Sequence, residues 1–372
     1  MDVYTPTYPA LAPSRPDGAA DRLLVTGTGY IGPDGFGPSR VGTVLGEDAA
    51  VPQPEAFLAA GFDPAALLGR KTARFNHRST LLAVEACARA LRDAGLEVGE
   101  HNQDEIGATI GTLCGSVTGS VAFGLDTFAQ PLPYNVNPAA FPNLVINTAA
   151  GAVAIKHGLR GPNSTVAGGP VAGINALRHA SLTLRAGHAE AILVGAAEEY
   201  GLYEAWLAAA ARPAARLGEA AAVLVLERAD AAAAAGRRPI ARIAGVLTRA
   251  VDPADAADLR RLLADALEAA AVRPRDVRRL YTRATMAPPV DAAAVSAASL
   301  VPVRPRLLEM EIGDCYSAHA AVQLVRLANA ARREAWDSRQ AGVVLAVDPD
   351  GLAGVAVLTG AADTDTDLRE PQ

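Results

Sequence analysis

Short apolar runs bounded by glycine, proline or charge alternate along this chain with longer stretches in which apolar residues recur every three or four positions. The first pattern is that of buried strands and the second that of amphipathic helices. Residues 23–32 (LLVTGTGYIG) predict a strand, residues 79–96 a helix, and residues 106–116 (IGATIGTLCGS) a second strand. Two more strands are expected at 163–168 and 189–198, with a helix between them whose apolar positions are Val171, Ile174, Leu177 and Leu184. Pro170 suits the first position of that helix, where its missing N–H is an orphan in any case, and Gly187 suits its end. Residues 220–250 read as two buried strands around an alanine-rich turn. A shorter second set repeats the same logic: helix 258–272, strand 278–284, helix 317–335, then strands 342–348 and 354–360. Two similar α/β halves, each a sheet with helices to cover it, predict a duplicated five-layer fold.

The halves are placed at residues 22–235 and 236–361. Residues 1–21 are proline-rich without periodicity and residues 362–372 are polar, so both read as tails. Half of the 372 residues are apolar, enough for a large core, and the 34 glycines and 25 prolines sit singly at turns rather than in linker tracts. The net charge of -6 is scattered along the chain, which argues against nucleic acid as a partner. No apolar run reaches the roughly 18 to 20 residues a membrane helix needs, and the N-terminus lacks a charged region followed by an apolar one. A cytoplasmic protein is expected. Cys87, Cys114 and Cys315 are far apart and form no CxxC pair, so free thiols and no metal are expected. GTGYIG and GTLCGS are glycine-rich, but neither supplies the GxGxxG with a following acidic residue that a dinucleotide needs, so no cofactor is expected.

Five segments carry a family resemblance: RFNHRSTLLAVEACARALRDAGL, IGTLCGSVTG, FPNLVINTAAGAVAIKHGLRGPNSTV, AILVGAAEE and LGEAAAVLVLE. Their order over about residues 22 to 360 resembles that of the β-ketoacyl-acyl carrier protein synthases. The resemblance implies an α/β, thiolase-like duplicated α-β-α-β-α five-layered fold. Active members place a cysteine at the start of the helix that follows the GPxxTV strand, where backbone N–H groups and the helix dipole favour a thiolate. Two histidines then polarise the malonyl thioester. Carried onto this chain, the nucleophile position is Pro170. The first histidine position, in RATMAPPVD with Asp291 marking the register, is Arg283. The segment EMEIGD puts Glu309 at the family's lysine and Asp314 at its second histidine. A permanently charged guanidinium does not replace a neutral imidazole. Residues 348–360 replace the family's Phe/Gly-rich loop, and the stretch 198–218 is shortened, which puts the substrate-gating loops in doubt.

Within the family, the members that do not condense are the chain length factors of type II polyketide systems, which pair with an active ketosynthase and shape a shared tunnel. Most of them carry glutamine at the nucleophile position, so Pro170 departs from them and points to a divergent branch serving reduced, polyene-type chains. The resemblance implies as partners a cysteine-bearing ketosynthase, acyl carrier protein and the polyketide acyl chain. It places Phe123, Asp126, Thr127 and Gln130 on the tunnel wall, with Phe123 or Phe128 as plain core residues the competing reading. It places Asn163, Ser164, Thr165, Val166, Ala167 and Gly168 at the dimer seam, and His157 and Gly158 in a structural turn. Arg283 and Asp314 either pair in the old active site or stand apart at exposed positions. Cys315 and His319, one turn apart on an expected helix, offer a thiolate and a base; a small buried apolar cysteine and an ordinary histidine are the expectation. The competing functions are an acyltransferase or hydrolase that reuses the pocket through Cys315 or a serine, and a homodimeric acyl-binding protein.

Overall fold

The computed structural model describes residues 22–33, 38–40, 50–52, 55–212, 215–284 and 287–361. The expected tails, 1–21 and 362–372, lie outside the described residues, as do Thr285 and Met286 of the motif around Arg283. Among the described residues the main sheet takes five strands from the first half, β1 (Leu23–Ile31), β2 (Ile106–Thr112), β3 (Asn163–Ala167), β4 (Ala191–Glu198) and β5 (Ala220–Arg228), and a two-residue pair, Ser39–Arg40 with Glu55–Ala56, stands apart from it. Four come from the second: β6 (Ala241–Ala250), β7 (Val277–Tyr281), β8 (Ala341–Val347) and β9 (Leu352–Gly360). Their order is β3-β2-β4-β5-β1-β6-β9-β8-β7. The run β2-β4-β5-β1 is reproduced by β7-β8-β9-β6, each beginning with a parallel pair and continuing through two antiparallel ones. This is the duplication that the pattern predicts. Among the described residues of the second half, the counterpart of the edge strand β3 is reduced to one parallel bridge, between Tyr281 of β7 and Arg306. The halves meet where Leu23, Leu24 and Val25 of β1 pair with Ile243, Arg242 and Ala241 of β6.

The main helices are α1 (Arg78–Ala94), α2 (Val117–Ala129), α3 (Thr148–His157), α4 (Ala172–Arg185), α5 (Leu202–Ala211), α6 (Ala256–Ala269), α7 (Pro288–Ala298) and α8 (Ala318–Arg333). Strand alternation assigns them to layers. Ile192, Val194 and Ala196 of β4, with Val344 and Ala346 of β8, face one core shared with Leu177 of α4 and Leu327 of α8. Leu193 of β4 and Val223 of β5 face the opposite way, onto Leu82 of α1 and Val153 of α3. Val343 of β8 and Val355 of β9 face Leu262 of α6 and Ala294 of α7. The result is helix, sheet, helix, sheet, helix, the five layers expected. The central pair α4 and α8 can pack closely because Gly173 is where they meet: a Cβ there would lie 3.0 Å from the Ala321 amide nitrogen.

Two local expectations are corrected. The alanine-rich turn between β5 and β6 holds a short helix, Ala229–Ala234, because alanine is the strongest helix former and six residues allow a turn and a half. Cys315 and His319 do not share a helix. Tyr316 has φ 46°, so α8 starts only at Ala318, and the Cys315 thiol donates to the Ile312 carbonyl instead.

Candidate functional site

The chain leaves the edge strand β3 through Gly168, Gly169 and Pro170 and enters α4 by a single 3-10 turn, Gly169–Val171. Gly169 has φ 54°, and a Cβ there would stand 2.4 Å from the Asp348 carboxylate, so two constraints select glycine. Pro170 therefore sits at the N-terminal end of a largely buried helix, and it opens on a cavity of about 640 Å³. Its apolar lining comes from Leu113 just after β2, Val117 at the start of α2, and Leu207, Ala208 and Ala211 from α5. Its polar lining includes Glu198 from the end of β4, Arg212, Arg283 and Tyr316.

Arg283 follows β7 and Asp314 precedes α8, and the two side chains meet in the interior. Arg283 Nε and Nη2 donate to the two oxygens of Asp314 at 3.2 and 2.8 Å, while both side chains are 3% exposed or less. Arg212 makes a further ion pair with the same carboxylate, and the Tyr316 amide donates to it at 3.0 Å. The Arg212 guanidinium lies 4.6 Å over the Tyr316 ring. Burial alone would raise the Asp314 pKa, but Arg283 and Arg212 outweigh it and hold the carboxyl well below the usual carboxylate range. The two positions thus pair, which is one of the two alternatives left open by the sequence.

Glu309 accepts from the Ala284 amide at 2.6 Å, and His319 Nε2 approaches the same oxygen at 3.3 Å without hydrogen-bond alignment. Burial pushes Glu309 up to about 7 and His319 down to about 3. His319 is therefore neutral at physiological pH, fully buried and off the cavity wall, with no access to a ligand there.

Three donors converge on Oε1 of Glu198: the Leu113 amide at 2.5 Å, the Thr112 hydroxyl at 3.3 Å and the Ser317 hydroxyl. Burial outweighs these hydrogen bonds and pushes Glu198 up to about 8. Its neighbour Glu199 turns away to the Ser116 hydroxyl and the Ser79 amide, at 2.6 and 2.9 Å. Cys114 also lines the cavity, but burial and the nearby Glu198, Glu204 and Glu199 push its thiol up to about 11, so it is not a thiolate at neutral pH. Cys315 is fully buried, and burial pushes its thiol well above the usual thiol range.

The remaining sequence candidates lie elsewhere. Phe123, Asp126 and Thr127 on α2, and Gln130 just beyond it, are half-buried and do not line this cavity. Gln130 Nε2 donates to Asp126 at 2.8 Å, and the Thr127 hydroxyl donates to the Gly124 carbonyl at 2.6 Å. Asn163 to Ala167 form β3, whose outer side has no strand neighbour among the described residues, and Gly168 follows it. α3 packs against β3 and carries Ile155, which is 86% exposed. Sequence reasoning missed Arg212, Tyr316 and Glu198. A carboxylate closing the otherwise apolar strand AILVGAAE was the signal for Glu198; Arg212 and Tyr316 left none.

The comparisons with known proteins agree with this architecture. Residues 45–232 match the family model described as β-ketoacyl synthase, N-terminal domain. Over 189 residues the chain is 29% identical to a 3-oxoacyl-[acyl-carrier-protein] synthase 2 of Coxiella burnetii, covering 48% of this chain and 45% of that protein. The chain thus spans about half the length of the curated relatives it first matches. It is also similar to the ishigamide ketosynthase/chain length factor, at 30% identity and a TM-score of 0.81, covering 92% of this chain and 100% of that one. A type II polyketide synthase acyl-carrier protein in complex with its ketosynthase bound to the hexaketide shares the fold, at 18% identity and a TM-score of 0.73, covering 91% and 99%. The thiolase-like ketosynthase fold is common to all of them.

Proposed function

This chain belongs to the β-ketoacyl synthase family, and on that premise we propose that it is a non-catalytic chain length factor that pairs with an active ketosynthase. The observation that carries this reading is the buried Arg283–Asp314 ion pair, which fills the two histidine positions beside a proline that has no nucleophilic atom. A pocket selected for condensation needs a thiolate and neutral imidazoles; here the groups are locked to one another. The likeness to the ishigamide ketosynthase/chain length factor over nearly the whole chain supports the same reading. The edge strand β3, Asn163 to Ala167, with Gly168 after it, is then the seam across which the partner's strand pairs, and acyl carrier protein delivers the chain to the pair. The substrate is a growing polyketide acyl chain of the reduced, polyene type. An acyltransferase or hydrolase is disfavoured because the cavity's one thiol, Cys114, is held protonated and Cys315 is out of reach.

Co-expression with a cysteine-bearing ketosynthase from the same gene cluster tests the pairing. A one-to-one complex is expected in size-exclusion chromatography; a stable homodimer that ignores the ketosynthase would contradict it.

The tunnel assignment has its own test. Phe123→Ala should lengthen the product by about one or two ketide units, since a deleted ring leaves a cavity in a close-packed wall. Thr127→Trp should shorten the product or stop extension. Mass spectrometry of products from an intact reconstituted pair reads both, and unchanged distributions from both variants remove Phe123, Asp126, Thr127 and Gln130 from the wall.

A further inference from the structure

Glu198 is a buried carboxyl that the ion-pair cluster does not use. Its two oxygens differ sharply. Oε1 receives the Leu113 amide, the Thr112 hydroxyl and the Ser317 hydroxyl, whereas Oε2 has no hydrogen-bond partner among the described residues, and Glu198 is part of the cavity wall. When this carboxyl is protonated, the oxygen that accepts from three donors is its carbonyl oxygen, so the proton sits on Oε2. We propose that Glu198 is a neutral hydrogen-bond donor that recognises the carbonyl oxygen of an uncharged, largely apolar molecule held in this cavity.

The walls select that ligand class. Glu204, Asp348 and Asp350 on the cavity wall repel an anion, and Arg212 and Arg283 repel a cation. Leu113, Val117, Leu207 and Ala208 offer apolar contact to a chain, and about 640 Å³ is within the ordinary range of roughly 300–1,000 Å³ for small-molecule sites. A carboxylic acid kept neutral by an apolar site can donate to a carbonyl as an ionised one cannot. Burial pushes Glu198 up to about 8, so the donor is present at neutral pH and is lost above it.

Several titratable groups around Glu198 are raised by burial as well. Tyr316, ahead of α8, is raised to about 12, Cys114 to about 11, and Cys315 well above the usual thiol range. Glu199, the next residue along, is also raised by burial, but its hydrogen bonds run to Ser116 and Ser79. Glu309, raised to about 7, lies beyond Arg283 and off the wall. The inference needs only the cavity, and it stands whether or not the chain pairs with a ketosynthase.

The test uses the full-length chain and two probes, 2-octanone and its isostere 2-methyl-1-octene, in which a methylene group replaces the carbonyl oxygen. At pH 6.5 the ketone should bind about tenfold more tightly than the alkene, with its bound carbonyl stretch moved to lower frequency in the infrared. Above pH 8 the preference and the frequency shift should both disappear. Glu198→Gln keeps an acceptor for the three donors and presents an N–H to the cavity, so it should retain the preference and abolish its pH dependence. Glu199→Gln should leave that dependence unchanged, and Leu207→Trp should block both probes. Equal binding of ketone and alkene, a preference insensitive to pH in the unaltered chain, or a pH dependence that survives Glu198→Gln would each overturn the assignment.

Discussion

Asp314→Ala should lower the free energy of unfolding by about 3–5 kcal/mol, because it leaves the Arg283 guanidinium charged and buried with its bidentate partner gone. The loss comes from the stranded charge rather than from the net worth of the pair. Replacing both partners by apolar side chains of similar volume, Arg283→Met with Asp314→Leu, should therefore be far milder than the single change, with Arg212 free to turn towards the cavity. Urea unfolding of the three proteins decides it, and equal destabilisation by the single and double changes would contradict the pairing. The pH dependence follows from signs. Asp314 has a depressed pKa in the folded state, so its contribution is present above its ordinary value near 3.8 and is lost as pH falls below it. Glu309 and Glu198 are raised, to about 7 and about 8. Between their ordinary value of 4.5 and those values the folded state binds more protons than the unfolded, so stability should fall as pH rises through that window.

The second large effect is on turnover. Condensation by this chain alone should be undetectable, since removing the nucleophile of a covalent enzyme costs on the order of 10⁶ in rate, about 8 kcal/mol of barrier. Pro170→Cys should not restore it. The new thiol would stand beside Gly169, over which the Asp348 carboxylate closes, and a nearby negative charge opposes thiolate formation. Arg283 and Asp314 would remain locked together, leaving no pair of imidazoles to stabilise the decarboxylating thioester, where one missing donor typically costs 10²–10³. A radiolabelled malonyl-carrier assay of the purified variant should stay at background, and turnover from that single change would show that the old machinery persists.

The layered fold was legible because buried strands and amphipathic helices differ in period, and because β1 to β5 and β6 to β9 repeat one plan. The pairing of Arg283 with Asp314 was legible as a possibility, since both stand at positions aligned through glycine and proline scaffolds. Arg212 was not. It reaches Asp314 from more than one hundred residues away, at the end of an alanine-rich helix whose pattern carries no charge signal. Glu198 was hidden for the opposite reason: it belongs to a family segment, AILVGAAEE, and reads as scaffold until its three donors and its free oxygen are placed in space. The Cys315 and His319 spacing misled because one residue with positive φ, Tyr316, delays the helix by a turn.

The central claim, that this chain assists condensation without taking part in its covalent chemistry, is tested most directly by intact-mass analysis of the reconstituted pair after loading from an acyl carrier protein. The account predicts one acyl group per complex, carried by the partner ketosynthase, with the mass of this chain unchanged and products formed only when both are present. An acyl adduct on this chain, at Cys114 or anywhere else, or product formation that survives loss of the partner's cysteine, would contradict it.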